Sequence, residues 1–499
     1  MLNGLKRYLY LSHRWLGIVL CLFMAMWFVS GVVMMYVGYP KLTPQEKLSA
    51  LPGLAAERCR VSLAQALAAG GQVKSPDSIR LTSVAGAPRY VFIYGKTPIA
   101  VDAETGNRID QVTPAQALAS ADSFLATADG YYLDRIDEDA WTHSKALDEH
   151  RPLHRVQMAD EQATLLYISN TTGEVVRDAN RHERTWNWLG AWIHWLYPFR
   201  GGALDRYAAD IVIYTALAGS VLSLLGLIVG ILRWRFQGLY KHGTKTPYRE
   251  AWMRWHHLLG LGFGVIAFTW ILSGLFSMNP WKIFDSTAAK PKLQAYMGGD
   301  ISPQYFPLSV AEALARFQNT GFQPREIEWR VLNGQGYYIA FDSQGHSRIQ
   351  TAQTDSRVFE TFDWSALQTA AERLMAPNKI ARQSVLNEYD FYYYSRATHT
   401  MTGHIDKRLP ILRLEFADAD STWLHLDPYT GNFSKLDAGR RVSRWLFAFL
   451  HSWDWLHLLN NRPVWDVLLI VFSTGGLLIS ASGIVIGWRR AKRKLAIHY

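Results

Sequence analysis

Cysteine is nearly absent: the 499 residues include two, Cys21 and Cys59. Cys21 lies in an apolar run and Cys59 in a polar one, so a disulfide between them is implausible. There is no C-x-x-C pair, no C-x-x-C-H haem-attachment site and no cysteine cluster for zinc or an iron–sulfur centre. Any redox cofactor must therefore be held by something other than sulfur. A nucleotide fingerprint is missing too, because GLGFG at 260–264 lies inside an apolar run rather than after a strand. Charge is scarce, at 19% against roughly 25% in a typical soluble protein. Hydrophobic residues make up 49% and Trp occurs 20 times, which excludes a disordered or low-complexity chain. Mean hydropathy is nevertheless only −0.06, too low for a chain lying wholly in a membrane. These values describe a few hydrophobic spans carrying large water-facing segments.

Four runs reach the about 20 apolar residues needed to cross a bilayer: Trp15–Val37, Tyr207–Leu232, His257–Met278 and Val464–Trp488. The first follows Lys6, Arg7 and Arg14, but its apolar run exceeds that of a signal peptide and no A-x-A site follows, so it reads as an uncleaved anchor. Short flanks set orientation. Residues 1–14, 233–255 and the stretch after Trp488 together carry a net +13, more than the whole chain's +10. The remainder is net negative, so the basic balance is topological and calls for no nucleic-acid partner. Both termini and the middle loop are expected on the cytoplasmic side, with the two long segments outside.

The chain repeats itself. A shift of 243 places His13-Arg-Trp-Leu-Gly17 on His256-His-Leu-Leu-Gly260 and Trp27-x-x-Ser30-Gly31 on Trp270-x-x-Ser273-Gly274. A shift of 257 carries Arg184, Trp188, His194, Gly219, Gly226 and Gly230 onto Arg441, Trp445, His451, Gly476, Gly483 and Gly487. The long segments contain turn motifs ending at Gly106, Gly173, Gly345 and Gly431, each after a strand-like run. The expected fold is a four-transmembrane-helix bundle from an internal duplication, with two α+β domains outside. The divisions are 1–37 (N-terminus and first span), 38–183 (first outer domain), 184–235 (lead-in helix and second span), 236–278 (cytoplasmic loop and third span), 279–443 (second outer domain) and 444–499 (lead-in, fourth span and basic tail).

Four of the 16 histidines occupy matched positions. His13 and His256 fall at the cytoplasmic ends of spans, His194 and His451 just before spans on the other side. Ionisable groups at membrane depth are costly and usually functional, and two imidazoles on each side are what bis-imidazole haem ligation requires. Gly17 and Gly260, four residues on, would leave room for a flat macrocycle. The bland alternative is close helix packing by small residues with interfacial histidines. His257 lies about 100° round the helix from His256, so only one can face a partner, and the repeat selects His256. His457 is a substitute for His451 or an interfacial residue. Arg14, Arg233, Arg254 and Arg489 are candidates for pairing with propionates. His150 with His154, and His399 with His404, are weaker candidates for an outer metal or substrate. The run Tyr389–Ser395 reads as a core strand or an aromatic stacking surface.

The H-R-W-L-G and W-x-x-S-G motifs, their copies in the third span, and the His-bearing lead-ins before Gly-rich spans ending in Trp-Arg resemble the PepSY-associated transmembrane proteins, and the Thr-Gly hairpins resemble PepSY modules. The resemblance covers nearly the whole chain. It implies a bacterial inner-membrane oxidoreductase with two b-type haems, His13 with His256 holding the inner one and His194 with His451 the outer. A cytoplasmic donor (a flavoprotein or a quinol) would supply electrons, and a periplasmic acceptor such as a ferric siderophore would receive them. The resemblance leaves two other readings, an iron or siderophore permease and a binding or regulatory membrane protein.

Overall fold

The computed structural model describes residues 2–286, 290–355 and 357–495; residues 496–499 of the basic tail lie outside these. Among the described residues four helices are long and apolar enough to cross a membrane: Leu2–Met34, Ala208–Arg233, Ala251–Ser277 and Val464–Leu495. We refer to them as the first to fourth spanning helices. The first starts well before the apolar run, so Lys6, Arg7 and Arg14 are helical rather than a separate leader, and it ends at Met34 rather than Val37. At 1.5 Å per residue its 33 residues extend about 50 Å, more than the roughly 30 Å of a hydrocarbon core. His13 is therefore well inside the helix. The third helix begins at Ala251, where the Glu250 carboxylate accepts from the Met253 amide at 2.8 Å.

The first helix packs against the second and fourth, and the third packs against the same two. The first and third thus lie across a diagonal. Without a hydrophobic drive in lipid, helices associate through small residues that let side chains reach backbone. Phe28 lies on Gly476 and Phe263 on Gly475, where an added Cβ would come within 2.3 and 2.4 Å of the rings. The outward faces carry exposed Val19, Leu22, Leu224, Val265, Val467 and Leu478, a surface that only a lipid environment covers without cost.

Beyond the bundle the described residues form sixteen strands: β1 (Ser78–Val84), β2 (Ala87–Tyr94), β3 (Thr97–Asp102), β4 (Arg108–Ile109), β5 (Gly130–Ile136), β6 (Leu153–Met158), β7 (Leu165–Ser169), β8 (Val175–Ala179), β9 (Glu326–Leu332), β10 (Gln335–Phe341), β11 (Ser347–Thr351), β12 (Val358–Phe359), β13 (Ile380–Leu386), β14 (Ile411–Phe416), β15 (Trp423–Leu426) and β16 (Phe433–Leu436). The four turn glycines take φ of 78°, 75°, 77° and 67°, the left-handed conformation that a side chain would disfavour.

The two long segments share one sheet as well as building one each. β1 pairs antiparallel with β9 (Ile79 opposite Trp329, Arg80 opposite Glu328), which joins both segments in one eight-stranded sheet of order β12-β11-β10-β9-β1-β2-β3-β4. Helices Leu63–Gly70 and Val310–Asn319 cover one face over a core that includes Leu81, Tyr90, Phe317 and Trp329. Two four-stranded sheets, β5–β8 and β13–β16, complete the layer structure and lead directly into the elements carrying His194 and His451. At the seam, Arg80 and Lys47 share the carboxylates of Glu174 and Glu326: Lys47 lies 3.2 and 2.8 Å from them, Arg80 3.2 Å from Glu326 and in bidentate contact with Glu174.

Tyr389–Ser395 is not a strand. It lies in the connection from β13 to β14, where Phe391 and Tyr394 stack on the Arg444 guanidinium at 4.0 and 4.6 Å. Arg444 in turn binds Asp454 at 2.7 Å. The cation needs this aromatic and carboxylate shell because it is itself buried.

Candidate cofactor site: two facing histidine pairs

The first and third helices bring His13 and His256 face to face across the bundle, with ring centres 6.2 Å apart and planes inclined by 40°. His194 ends the short helix Ala191–His194, packed on the first spanning helix. His451 lies in Leu450–Ser452, which follows a π-helical stretch, Arg444–Phe449, packed on the third. Their rings are also 6.2 Å apart, inclined by 70°. Leu196 adopts a left-handed conformation (φ 55°) before the Tyr197–Phe199 turn, which separates this lead-in from the second spanning helix. An imidazole nitrogen binds a metal at about 2.0–2.1 Å and stands roughly 1.1 Å from its ring centre, so two rings on opposite sides of one ion are about 6.3 Å apart. Both pairs have that spacing.

The hydrogen bonds define the tautomers. Ser30 Oγ lies 2.8 Å from His194 Nδ1, and the single Ser30 hydroxyl proton is already directed to Met26 O at 2.7 Å. Ser273 Oγ stands 3.1 Å from His451 Nδ1 and donates to Trp270 O at 2.9 Å. Ser482 Oγ is 2.9 Å from His256 Nδ1 and donates to Ile479 O at 2.8 Å. Each serine can therefore only accept from the ring, which puts the imidazole proton on Nδ1. His13 Nδ1 faces a carbonyl, Leu222 O, at 3.3 Å, which demands the same tautomer. All four Nε2 atoms then carry a free lone pair, and no hydrogen bond engages them among the described residues. Burial, with His451 close by, pushes His194 down to about 3, and burial lowers His451 as well. Both rings are neutral near pH 7, the form that binds metal.

Each imidazole also lies against a glycine of another element. An added Cβ would stand 2.8 Å from His13 Cε1 at Gly226, 3.6 Å from His256 Cε1 at Gly483, 3.8 Å from His194 Cε1 at Gly31 and 3.5 Å from His451 Cε1 at Gly274. These four are repeat-matched positions. At Gly17 and Gly260, expected to leave room for a flat macrocycle, an added Cβ would meet Cys21 and Leu222 at 3.8 Å in the first case and open space in the second.

The family model for the PepSY-associated TM region matches residues 10–490. The chain belongs to that family. No curated protein matches it. As a PepSY-associated membrane protein it has its remaining candidate residues distributed as follows. His257 is buried with both nitrogens occupied, Nδ1 by Thr246 Oγ1 at 2.7 Å and Nε2 by Gly230 O at 2.8 Å. It secures the loop between the second and third spans, with Trp234 and Tyr248 against its ring. His457 is exposed on Leu456–Leu459 beside Trp455. Arg14 has Arg490 and Tyr248 as electrostatic neighbours. Arg233 covers the Tyr10 ring at 4.4 Å and Arg489 pairs with Glu250 at 2.9 Å, while Arg254 is exposed.

In the weaker histidine pairs several ring nitrogens are hydrogen-bonded within the protein. His154 is held on both nitrogens, by Tyr132 and Asn170 at 3.1 Å each, and His150 Nδ1 by Ser169 at 2.9 Å. His399 Nε2 is bonded to Met35 O at 2.9 Å. Among the described residues, no group of three or more His, Cys, Asp or Glu side chains is arranged to hold a metal ion. The residues missing from the sequence reading are the serines. Ser30 and Ser273 were visible within the W-x-x-S-G repeat without an assigned role, whereas Ser482 has Leu225 as its repeat counterpart and so gave no signal.

Proposed function

We propose that this protein is a di-haem b-type electron carrier of the bacterial inner membrane, built by internal duplication. In this reading both termini are cytoplasmic and the sheets periplasmic. It takes reducing equivalents from a cytoplasmic flavoprotein or a quinol and passes them to a periplasmic acceptor, a ferric siderophore in the first instance. The observation that carries the reading is the pair of neighbouring imidazoles, found twice with ring centres 6.2 Å apart and, among the described residues, Nε2 unengaged. His13 and His256 would hold one haem, His194 and His451 the other. Bound haem iron supplies a one-electron couple. The protein's part is to present neutral Nε2 donors, fix ring orientation through Nδ1 and exclude water with the apolar layer of Met24, Phe28, Ala267, Trp270 and Ile271 between the two levels. The levels are well separated: Ser30 and Ser273 follow His13 and His256 by 17 residues, about 25 Å along a helix.

A permease draws no support from the spans, which are continuous helices over Leu2–Met34, Ala208–Arg233, Ala251–Ser277 and Val464–Leu495 rather than broken ones with buried half-helix ends. Their acidic groups sit at the edges: Asp466 is bound by Arg462 and Tyr36, and Asp210 is exposed. The deciding experiment is a reduced-minus-oxidised spectrum with a pyridine haemochrome assay on the purified protein. Two b-type haems per chain are expected; none would overturn the reading.

A further inference from the structure

The three serines are distributed unevenly. The His194–His451 pair has a hydroxyl acceptor on each ring, Ser30 and Ser273. In the other pair, His256 has two acceptors, Ser482 Oγ at 2.9 Å and Ile479 O at 3.2 Å, while His13 has one, Leu222 O at 3.3 Å. Leu222 and Ile479 are repeat-matched, as are Gly226 and Gly483 behind the rings, so the two rings sit in the same frame on their neighbouring helices. The difference in these acceptors comes from one substitution, Leu225 in the second helix against Ser482 in the fourth. The Leu222 and Ile479 carbonyls also serve the helical amides four residues on. Only the serine lone pair is a free acceptor, and Ser482 is buried at 2% exposure, so no water substitutes for it.

We infer that Ser482 is a positioning residue that makes the two ligands of the His13–His256 centre unequal and holds that centre's reduction potential down. An acceptor on Nδ1–H raises the electron density at Nε2, and a stronger donor favours the more highly charged oxidised metal. His256 is the stronger donor, His13 the weaker. The effect is confined to one centre, because Ser482 lies in the fourth helix at the level of His256, and the other centre depends on Ser30 and Ser273.

The inference rests on the di-haem reading, and the experiment separates the two. Haem is first counted in the wild type by pyridine haemochrome; if it is absent, that reading fails and this one with it. With two haems bound, an optical redox titration follows Ser482→Ala, Ser482→Thr and Leu225→Ser, with His13→Ala identifying which midpoint belongs to the centre. Ser482→Ala is expected to raise that midpoint alone, Ser482→Thr to leave it near the wild type because the hydroxyl is retained, and Leu225→Ser to lower it. If Ser482→Ala fails to assemble, the fall in Leu225→Ser still decides. Two bound haems with neither variant moving a midpoint, or with the His194–His451 centre moving instead, would overturn the inference and leave the di-haem reading intact.

Discussion

Gly226→Ala and Gly31→Ala make the same chemical change beside two different histidines, and the structure assigns them opposite outcomes. At Gly226 the new methyl would lie 2.8 Å from His13 Cε1 and 3.3 Å from Nδ1. Carbon atoms settle at about 3.5–4.0 Å, so the ring must retreat by roughly 0.7 Å or more. His13 has little to hold it against such a shift, since its Nδ1 bond to Leu222 O is already 3.3 Å. Overpacking of this kind costs about 1–3 kcal/mol, which at 1.4 kcal/mol per tenfold weakens ligand binding at the His13–His256 pair roughly 5- to 150-fold. At Gly31 the methyl would stand 3.8 Å from His194 Cε1, an ordinary contact, and the cost is within about 0.5 kcal/mol. The assay is haem per chain after purification and dialysis, with the difference-spectrum amplitude as a second readout. Gly226→Ala is expected to fall toward one haem and Gly31→Ala to keep two. Equal occupancy in the two variants, whether full or halved, would refute the argument from ring contact.

Two further outcomes follow from groups outside the haem reading. Burial alone would raise Glu174 and Glu326, but Arg80 and Lys47 overcome it and hold both below the usual carboxylate range. Their contribution to stability is therefore present above the unfolded carboxylate value and is lost as pH falls below about 4.5. Acid unfolding of the sheet region, followed by circular dichroism, should move to higher pH in Arg80→Met, which strands two buried carboxylates with one cation at a cost of about 3–5 kcal/mol; an unchanged acid midpoint would count against the seam. His257→Ala should retain both haems while destabilising the loop between the second and third spans by about 1–3 kcal/mol, since Thr246 and the Gly230 carbonyl lose their partner. Loss of a haem in that variant, with the loop still protected from protease, would reassign the ligand.

The histidine pairs were legible because matched spacing is a long-range signal written directly in the residues: His13 and His256, or His194 and His451, need only equivalent frames to meet. The spans were legible from length and apolarity, although their ends were not, since helical geometry tolerates Lys6, Arg7 and Arg14 where hydropathy stops. The pairing of β1 with β9 was hidden. Edge-to-edge strand contact depends on backbone groups that every sequence carries, and Ile79 opposite Trp329 leaves no local mark. Tyr389–Ser395 misled for a related reason. Aromatic density signals burial, but the run is a loop whose Phe391 and Tyr394 cover the Arg444 cation while Tyr392 and Tyr393 rest on Trp423 and His425 of β15. Ser482 was invisible because a repeat reveals only what is shared, and its hydrogen bond arises where the halves differ.

Each histidine pair joins residues 243 or 257 positions apart, and each half of the chain contributes one ring to both. Neither half of the chain contains a complete pair. During synthesis His13 waits in the membrane until the third helix arrives, and His194 until nearly the whole chain has emerged. Any truncation before the fourth helix therefore removes His451 or its setting and leaves His194 without its partner ring.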